Sequence, residues 1–211
     1  MKTVLLPVKD FCNAKHRLAP ALSPQVRAGL ARAMLSDVLD ALSFSTPDRV
    51  VVYTASEDVA RVVRPFGFEL VSESHVGGHS QAVNFMLPVL AATSATLLVI
   101  ASDLPKLTPQ EINDALDADF GSVAILPSRD GTGTNGMLFR PPAQIEMEYG
   151  EGSFRRHLER ARAGGWNATV LSIPGVAFDI DTPEDLNAFL DEPRLDSETW
   201  RFLRKTRSAG Q

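Results

Sequence analysis

The sequence predicts an α/β fold of three layers, α/β/α, built around a mostly parallel sheet. Short runs rich in Val, Ile and Leu alternate with helical patterns along the whole chain. Those runs are continuously apolar, as expected of strands buried on both faces. Distinct helix starts stand between them: Ser23-Pro24, Thr108-Pro109-Gln110-Glu111 and Thr182-Pro183-Glu184-Asp185 each place a hydroxyl at the cap and a proline in the first turn. Open sheets of this class collect their ligands at the carboxyl ends of the strands.

Size and composition bound the rest. A chain of 211 residues, 44% hydrophobic and 22% charged, is predicted to be one domain over 1–211, with its core at about 2–192 and a C-terminal helix and tail at 193–211. The formal net charge of −5 excludes a basic duplex-binding face, so no nucleic-acid partner is expected. No apolar run approaches the ~20 residues of a membrane span. Met1-Lys2-Thr3 leads straight into Val4-Leu5-Leu6-Pro7, which is too short for a signal peptide. The single cysteine, Cys12, permits no internal disulfide and suits a reducing compartment. These readings predict a cytoplasmic protein without a membrane partner; the oligomeric state is left open, a homodimer being allowed for.

The first strand, Val4–Val8, runs into Pro7-Val8-Lys9-Asp10-Phe11-Cys12-Asn13-Ala14-Lys15-His16-Arg17-Leu18. Lys9, Lys15 and Arg17 put cations at the ligand-bearing edge. Lysine supplies a point charge and arginine a two-pronged donor set, a combination that suits a polyphosphate; a solvated loop is the plain alternative. Residues 23–43 read as a helix with Val26, Leu30, Met34, Val38 and Leu42 on one stripe. Strands follow at Arg49–Tyr53, Phe68–Val71 and Thr96–Ala101, the last ending at Asp103 in Ser102-Asp103-Leu104-Pro105. Thr108 with Glu111 then fits a capping box.

Strands at Ser122–Leu126 and Gly136–Phe139 flank Arg129-Asp130-Gly131-Thr132-Gly133-Thr134-Asn135-Gly136, whose glycines can bring backbone N–H groups and a hydroxyl against a small anion. Tyr149-Gly150-Glu151-Gly152-Ser153-Phe154-Arg155-Arg156-His157 opens a basic amphipathic helix, Ser153–Ala163, stopped by Gly164-Gly165. Its glycines and serine offer a second anion site; a hairpin-like turn followed by a serine cap is the plain alternative. The last strand is predicted at Thr169–Ile173. Thr182 with Asp185 imitates a capping box less well than Thr108, and residues from roughly Arg204 onward read as a frayed tail.

The most informative stretch is Phe178-Asp179-Ile180-Asp181-Thr182-Pro183. Residues i and i+2 of an extended chain point to the same side, so Asp179 and Asp181 are expected close together. Two like charges ~4 Å apart repel by about 4 kcal/mol at an effective dielectric near 20. A divalent cation would offset that. With Asp103, the two acids form an all-oxygen set that suits Mg²⁺ better than Zn²⁺, since no His/Cys cluster accompanies them. A turn or a cap is each acid's plain alternative. His16, His75, His79 and His157 show no ligand spacing and are expected to be surface or hydrogen-bonded histidines. Cys12 has no paired histidine, and Trp166 and Trp200 are read as packing residues.

These motifs together resemble the CofC/FbiD family, the phospholactate or phosphoenolpyruvate guanylyltransferases of coenzyme F-420 biosynthesis. The resemblance spans Val4 to about Leu190. It is carried by Pro7-Val8-Lys9 with Ala14-Lys15-His16-Arg17-Leu18, by Asp103-Leu104-Pro105, by Thr134-Asn135, by Tyr149-Gly150-Glu151-Gly152-Ser153-Phe154 and by Asp179-Ile180-Asp181-Thr182-Pro183. It implies a nucleotide-diphosphosugar-transferase-like (GT-A-like) fold, GTP as donor, Mg²⁺ as cofactor and a phosphorylated three-carbon acid as acceptor. It also implies that Thr134, Gly150 and Ser153 hold that acid and that Asp103, Asp179 and Asp181 hold the metal. Lys15, Arg17 and Asp103 are then the expected catalytic residues, with Lys9, Lys15, Arg17 and Gly78 toward the nucleotide. In one stretch the chain departs: Gly78-His79-Ser80-Gln81-Ala82 stands where the family reads Gly-Leu-Asn-Ala-Ala. The choice between GTP and another nucleotide, and the choice among phosphoenolpyruvate, 2-phospholactate and 3-phosphoglycerate, stay open.

Other classes fit less well. Asp179-Ile180-Asp181-Thr182 matches the Asp-x-Asp-x-Thr of haloacid-dehalogenase phosphatases, but there the motif follows the first strand. Molybdenum-cofactor and sugar-phosphate nucleotidyltransferases carry a glycine-rich loop after strand one, and Pro7–Lys15 has no glycine. A nicotinamide oxidoreductase would need a Gly-x-Gly-x-x-Gly after a strand. A non-catalytic nucleotide-binding regulator is the runner-up, supported by Gly78-His79-Ser80.

Overall fold

The computed structural model describes residues 1–72, 78–192 and 196–208. Its seven strands are β1 (Lys2–Pro7), β2 (Arg49–Thr54), β3 (Glu69–Ser72), β4 (Thr96–Ile100), β5 (Val123–Pro127), β6 (Thr134–Phe139) and β7 (Ala168–Val170), ordered β3-β2-β1-β4-β6-β5-β7. The expected strands are all present to within a few residues at their ends. β1 pairs in parallel with β2 and β4, β2 with β3 and β5 with β7, whereas β6 runs antiparallel to both β4 and β5. That reversal brings the start of β6, at Thr134, to the same sheet edge as the ends of β1 and β4. The backbone of Ala101 donates to Asn135 O there at 2.8 Å.

Helices cover both faces. Alternate residues of each central strand feed two cores. Val4, Leu6, Val50, Val52 and Leu98 pack with Leu35, Val38 and Leu42 of α1 (Pro24–Ser43) and Ile112 of α4 (Pro109–Asp117). Leu5, Val51, Leu97, Val99 and Phe139 pack with Val83, Met86 and Leu90 of α3 (His79–Ala91) and Ala161 of α5 (Ser153–Ala163). The edge strands β3 and β7 stay partly exposed, so the continuous burial expected of every strand holds for the inner five. The remaining helices are α2 (Glu57–Val63), α6 (Pro174–Ala177), α7 (Pro183–Leu190) and α8 (Glu198–Ser208).

A third cluster positions the chemistry. Leu18, Leu30, Met34, Phe178, Ile180, Phe189 and Leu203 are buried together, below the segments that carry Lys15, Asp179 and Asp181. Burying each of these side chains contributes about 2 kcal/mol. The expected frayed tail is corrected here: residues 204–208 continue α8, because its start is capped from another helix. Asp37 of α1 accepts from the backbone N–H of Glu198 (2.6 Å) and Thr199 (3.0 Å), while Leu203 and Phe202 pack inward. Both capping boxes are complete, that of Thr182 and Asp185 included. No helix of the described residues is long and apolar enough to cross a membrane.

Candidate functional site

β1 ends in two 3-10 turns, Phe11–Asn13 and His16–Leu18, with Lys15 between them. Lys15 is left-handed (φ 56, ψ 43), and among the described residues no other non-glycine has a positive φ. That conformation costs a residue with a side chain roughly 1–2 kcal/mol. The expense is offset at the tip: Lys15 Nζ donates to Asp103 Oδ2 and to Asp181 Oδ1, each at 2.5 Å. A charge-assisted bond contributes about 1.5–3 kcal/mol, so two outweigh the strain. The turn is also held from behind, where the buried Arg27 of α1 donates from Nη1 to Ala14 O at 3.3 Å and lies 3.4 Å from His16 Nδ1.

Three segments thus meet at one ammonium. Asp103 follows β4, and Asp181 follows the buried Ile180. Phe178 and Ile180 point into the core while Asp179 and Asp181 share the opposite, half-exposed side, as their spacing predicts. Burial by itself would depress the Lys15 pKa, but the Asp103 and Asp181 carboxylates outweigh it and hold the ammonium above the usual lysine range. Asp179 shows the reverse. Burial and then the Asp103 charge push its carboxyl up to about 6, against a lowering hydrogen bond from Asn135 Nδ2 at 3.0 Å.

Among the described residues no three His, Cys, Asp or Glu side chains already stand in a metal-holding arrangement. The donor set nevertheless fits a hard cation. Asp103 and Asp181 already converge on one positive centre, the Lys15 ammonium, which keeps their nearest oxygens within about 5 Å of each other. Asp103 and Asp181 share that single ammonium, and beside them the Asp179 carboxyl is raised first by burial and then by the Asp103 charge. All donors are oxygens, as Mg²⁺ prefers.

The other expected contacts divide. Lys9 and Arg17 are exposed on the same loop, on either side of Lys15. Gly78 caps α3 in an ordinary extended conformation (φ −72, ψ 170), with open space where a Cβ would lie. His75 and the side chain of His79 lie outside the described residues. The 128–133 loop does not offer the expected anion site. Asp130 fills it with its own carboxylate, taking bonds from Thr132 N (3.0 Å) and Thr132 Oγ1 (2.7 Å), while Gly133 N donates to Ser128 Oγ at 2.7 Å. Hydrogen bonds from Ser128 and Thr132 hold Asp130 at about 2, firmly ionised. The 149–153 loop is different. Gly150 (φ 115) and Gly152 (φ 71) adopt backbone conformations open to glycine, and Gly152, not Ser153, is the cap of α5.

That loop is anchored by side chains to which the sequence assigned no such role. Three consecutive backbone N–H groups each donate to a side chain on a helix: Met147 to Asn84 Oδ1 (2.7 Å), Glu148 to His157 Nε2 (2.9 Å) and Tyr149 to Ser80 Oγ (3.0 Å). Ser80, where the chain departs from the resembled pattern, therefore ties α3 to the 149–153 loop. Asn135 was likewise legible only as part of a motif; its amide also reaches Val176 O at 3.0 Å.

The family model described as "Guanylyl transferase CofC like" matches residues 1–209. The chain belongs to the CofC-like guanylyl transferase family. It is 37% identical over 189 residues to a phosphoenolpyruvate guanylyltransferase from Conexibacter woesei, covering 87% of this chain and 85% of that one. It is 35% identical over 196 residues to a 2-phospho-L-lactate guanylyltransferase from Methanothermobacter thermautotrophicus, covering 90% and 85%. A 3-phospho-D-glycerate guanylyltransferase from Phenylobacterium zucineum is 33% identical, with 88% of each chain covered. In fold, a Desulfovibrio desulfuricans G20 protein assigned to the nucleotide-diphospho-sugar transferases superposes with a TM-score of 0.75 at 18% identity, covering 98% of this chain and 95% of that one. CofC-like membership makes this chain a nucleotidyltransferase, and the expected fold stands.

Proposed function

We propose that this CofC-like enzyme transfers GMP from GTP to the phosphate of a small phosphorylated three-carbon acid and releases pyrophosphate. Its relatives are named for phosphoenolpyruvate, 2-phospho-L-lactate and 3-phospho-D-glycerate, so the acceptor is drawn from that class; a place in coenzyme F-420 biosynthesis is part of the same proposal. An acceptor phosphate oxygen forms the new bond to the α-phosphorus, and the bond from that phosphorus to the β-bridging oxygen breaks. The acceptor is already anionic at neutral pH, so no general base is needed. This agrees with a site whose convergent groups are acids, an ammonium and backbone.

The observation that carries the reading is the meeting of Lys15, Asp103 and Asp181 at the sheet edge where Thr134 begins β6. Catalysis there consists of alignment and charge stabilisation. Lys15 and Arg17 bind the triphosphate, Lys9 adds positive charge along it, and Gly78 leaves room for the nucleoside. Thr134, Gly150 and Ser153 hold the acid. Asp103, Asp179 and Asp181 would hold Mg²⁺, which when bound neutralises phosphate charge and makes the α-phosphorus more electrophilic.

A pyrophosphate-release assay crossing the four nucleoside triphosphates with the three acids tests this. The expected result is release with GTP and one or more of the acids, dependent on Mg²⁺. Nucleotide binding with no release for any pair would replace the transferase by a nucleotide-binding regulator.

A further inference from the structure

We infer that His157 is a positioning residue: its imidazole donates to Thr134 Oγ1 and thereby frees the Thr134 hydroxyl hydrogen for the acceptor acid. This deepens, and rests on, the reading of Thr134 as an acid contact. The argument is one of hydrogen-bond accounting. A backbone N–H can only donate, so the 2.9 Å contact from Glu148 N makes His157 Nε2 an acceptor. A neutral imidazole with an accepting Nε2 carries its proton on Nδ1. The 3.0 Å contact from Nδ1 to Thr134 Oγ1 is therefore a bond from histidine to threonine, a tautomer assigned from the network. Among the described residues Thr134 Oγ1 has no second hydrogen-bond partner, so its own hydrogen is left for a ligand oxygen.

The surroundings keep the ring neutral and still. His157 is fully buried, and burial first, then the Arg160 and Arg156 charges, lowers its pKa to about 4. Glu148, on the segment packed against it, is engaged by Arg156 at 3.2 Å and Arg160 at 2.5 Å. The Tyr149 ring meets the imidazole edge-on, with centroids 5.7 Å apart. One ring thus sets two parts of the acid site, the Thr134 hydroxyl and the backbone leading into Gly150.

The test is calorimetric binding of phosphoenolpyruvate, 2-phospholactate and 3-phosphoglycerate, with turnover measured in parallel, for wild type, His157→Leu, His157→Asn, Thr134→Val and the His157→Leu/Thr134→Val double variant. Asparagine places an amide donor near the Nδ1 position. The expected result is about tenfold weaker acid binding in His157→Leu and Thr134→Val, no further loss in the double variant, and recovery to within about threefold in His157→Asn, with the GTP KM unchanged throughout. Additive losses, or acid binding by His157→Leu equal to wild type, would overturn the inference. If His157→Leu fails to fold, His157→Asn decides, together with the imidazole ¹⁵N spectrum of wild type: protonation at Nε2 in place of Nδ1 overturns it. Acid binding without turnover would sink the transferase reading while leaving this inference standing; no acid binding by wild type would sink both.

Discussion

Asn135 Nδ2 donates to Asp179 Oδ1 at 3.0 Å across 44 positions of sequence, and the same amide donates to Val176 O at 3.0 Å. One buried side chain therefore holds an acid of the site and the backbone leading up to it.

Replacing Asn135 by alanine leaves both acceptors without that donor. An unsatisfied polar group costs about 1–3 kcal/mol, so Asn135→Ala is expected to lose about 2 kcal/mol of stability in a denaturant titration. Turnover should fall at least tenfold as Asp179 loses its orientation. Full turnover alongside lowered stability would make Asn135 purely structural.

Lys15 is shared by Asp103 and Asp181, and its side chain is only 5% exposed. Asp103→Ala or Asp181→Ala should each abolish turnover under saturating Mg²⁺ yet fold normally, because Lys15 keeps one carboxylate. The double variant strands a buried charge, and Asp179 compensates only in part. Its destabilisation should exceed the sum of the singles by about 1–3 kcal/mol, read by denaturant titration of all four proteins. Simple additivity would show that the two acids do not share the lysine.

His157 makes stability depend on acid. The unfolded chain's imidazole takes up its proton near pH 6.5 and the folded one only near pH 4, so between those values the unfolded state binds more protons. Stability is therefore complete above pH 6.5, falls as the pH drops through this window and levels off below it. The loss is at most about 3 kcal/mol from this one group. His157→Gln should flatten that part of the curve; an unchanged slope would assign it to carboxylates elsewhere.

Asp37 acts as a cap supplied from another helix. Asp37→Ala leaves the Glu198 and Thr199 N–H groups unpaired, and loss of such a cap costs about 1–2 kcal/mol. Amide exchange should quicken across Glu198–Ser208 and stay unchanged in the central strands. Uniform quickening would mean that α8 unfolds only with the whole molecule.

Helices α1, α4, α5 and α7, the inner strands and both capping boxes were legible because each rests on contacts within a few residues, and period and cap chemistry encode those directly; α2, α3 and α6 were not singled out. Asp179 and Asp181 were legible as a same-side pair because extended backbone fixes the direction of alternate side chains. The roles of Ser80, Asn84, Asn135 and His157 were not, since a side chain whose partner lies 23, 44, 63 or 69 positions away leaves no periodic trace. The 128–133 loop misled for a related reason: a glycine-rich turn that could cradle an anion can equally be closed by its own Asp130.

By itself, the sequence determined which segments become the strands and helices α1, α4, α5 and α7, and which acids, cations and glycines end up at the ligand-bearing edge, because those follow from local periodicity and from chain direction in a parallel sheet. Only the tertiary structure decided that β6 runs against its neighbours, that Lys15 is gripped by two acids rather than left in solvent, and that a buried imidazole stands behind Thr134. The physical reason is that each of these depends on the packing of segments distant in sequence, where geometry, and not composition, selects the partner.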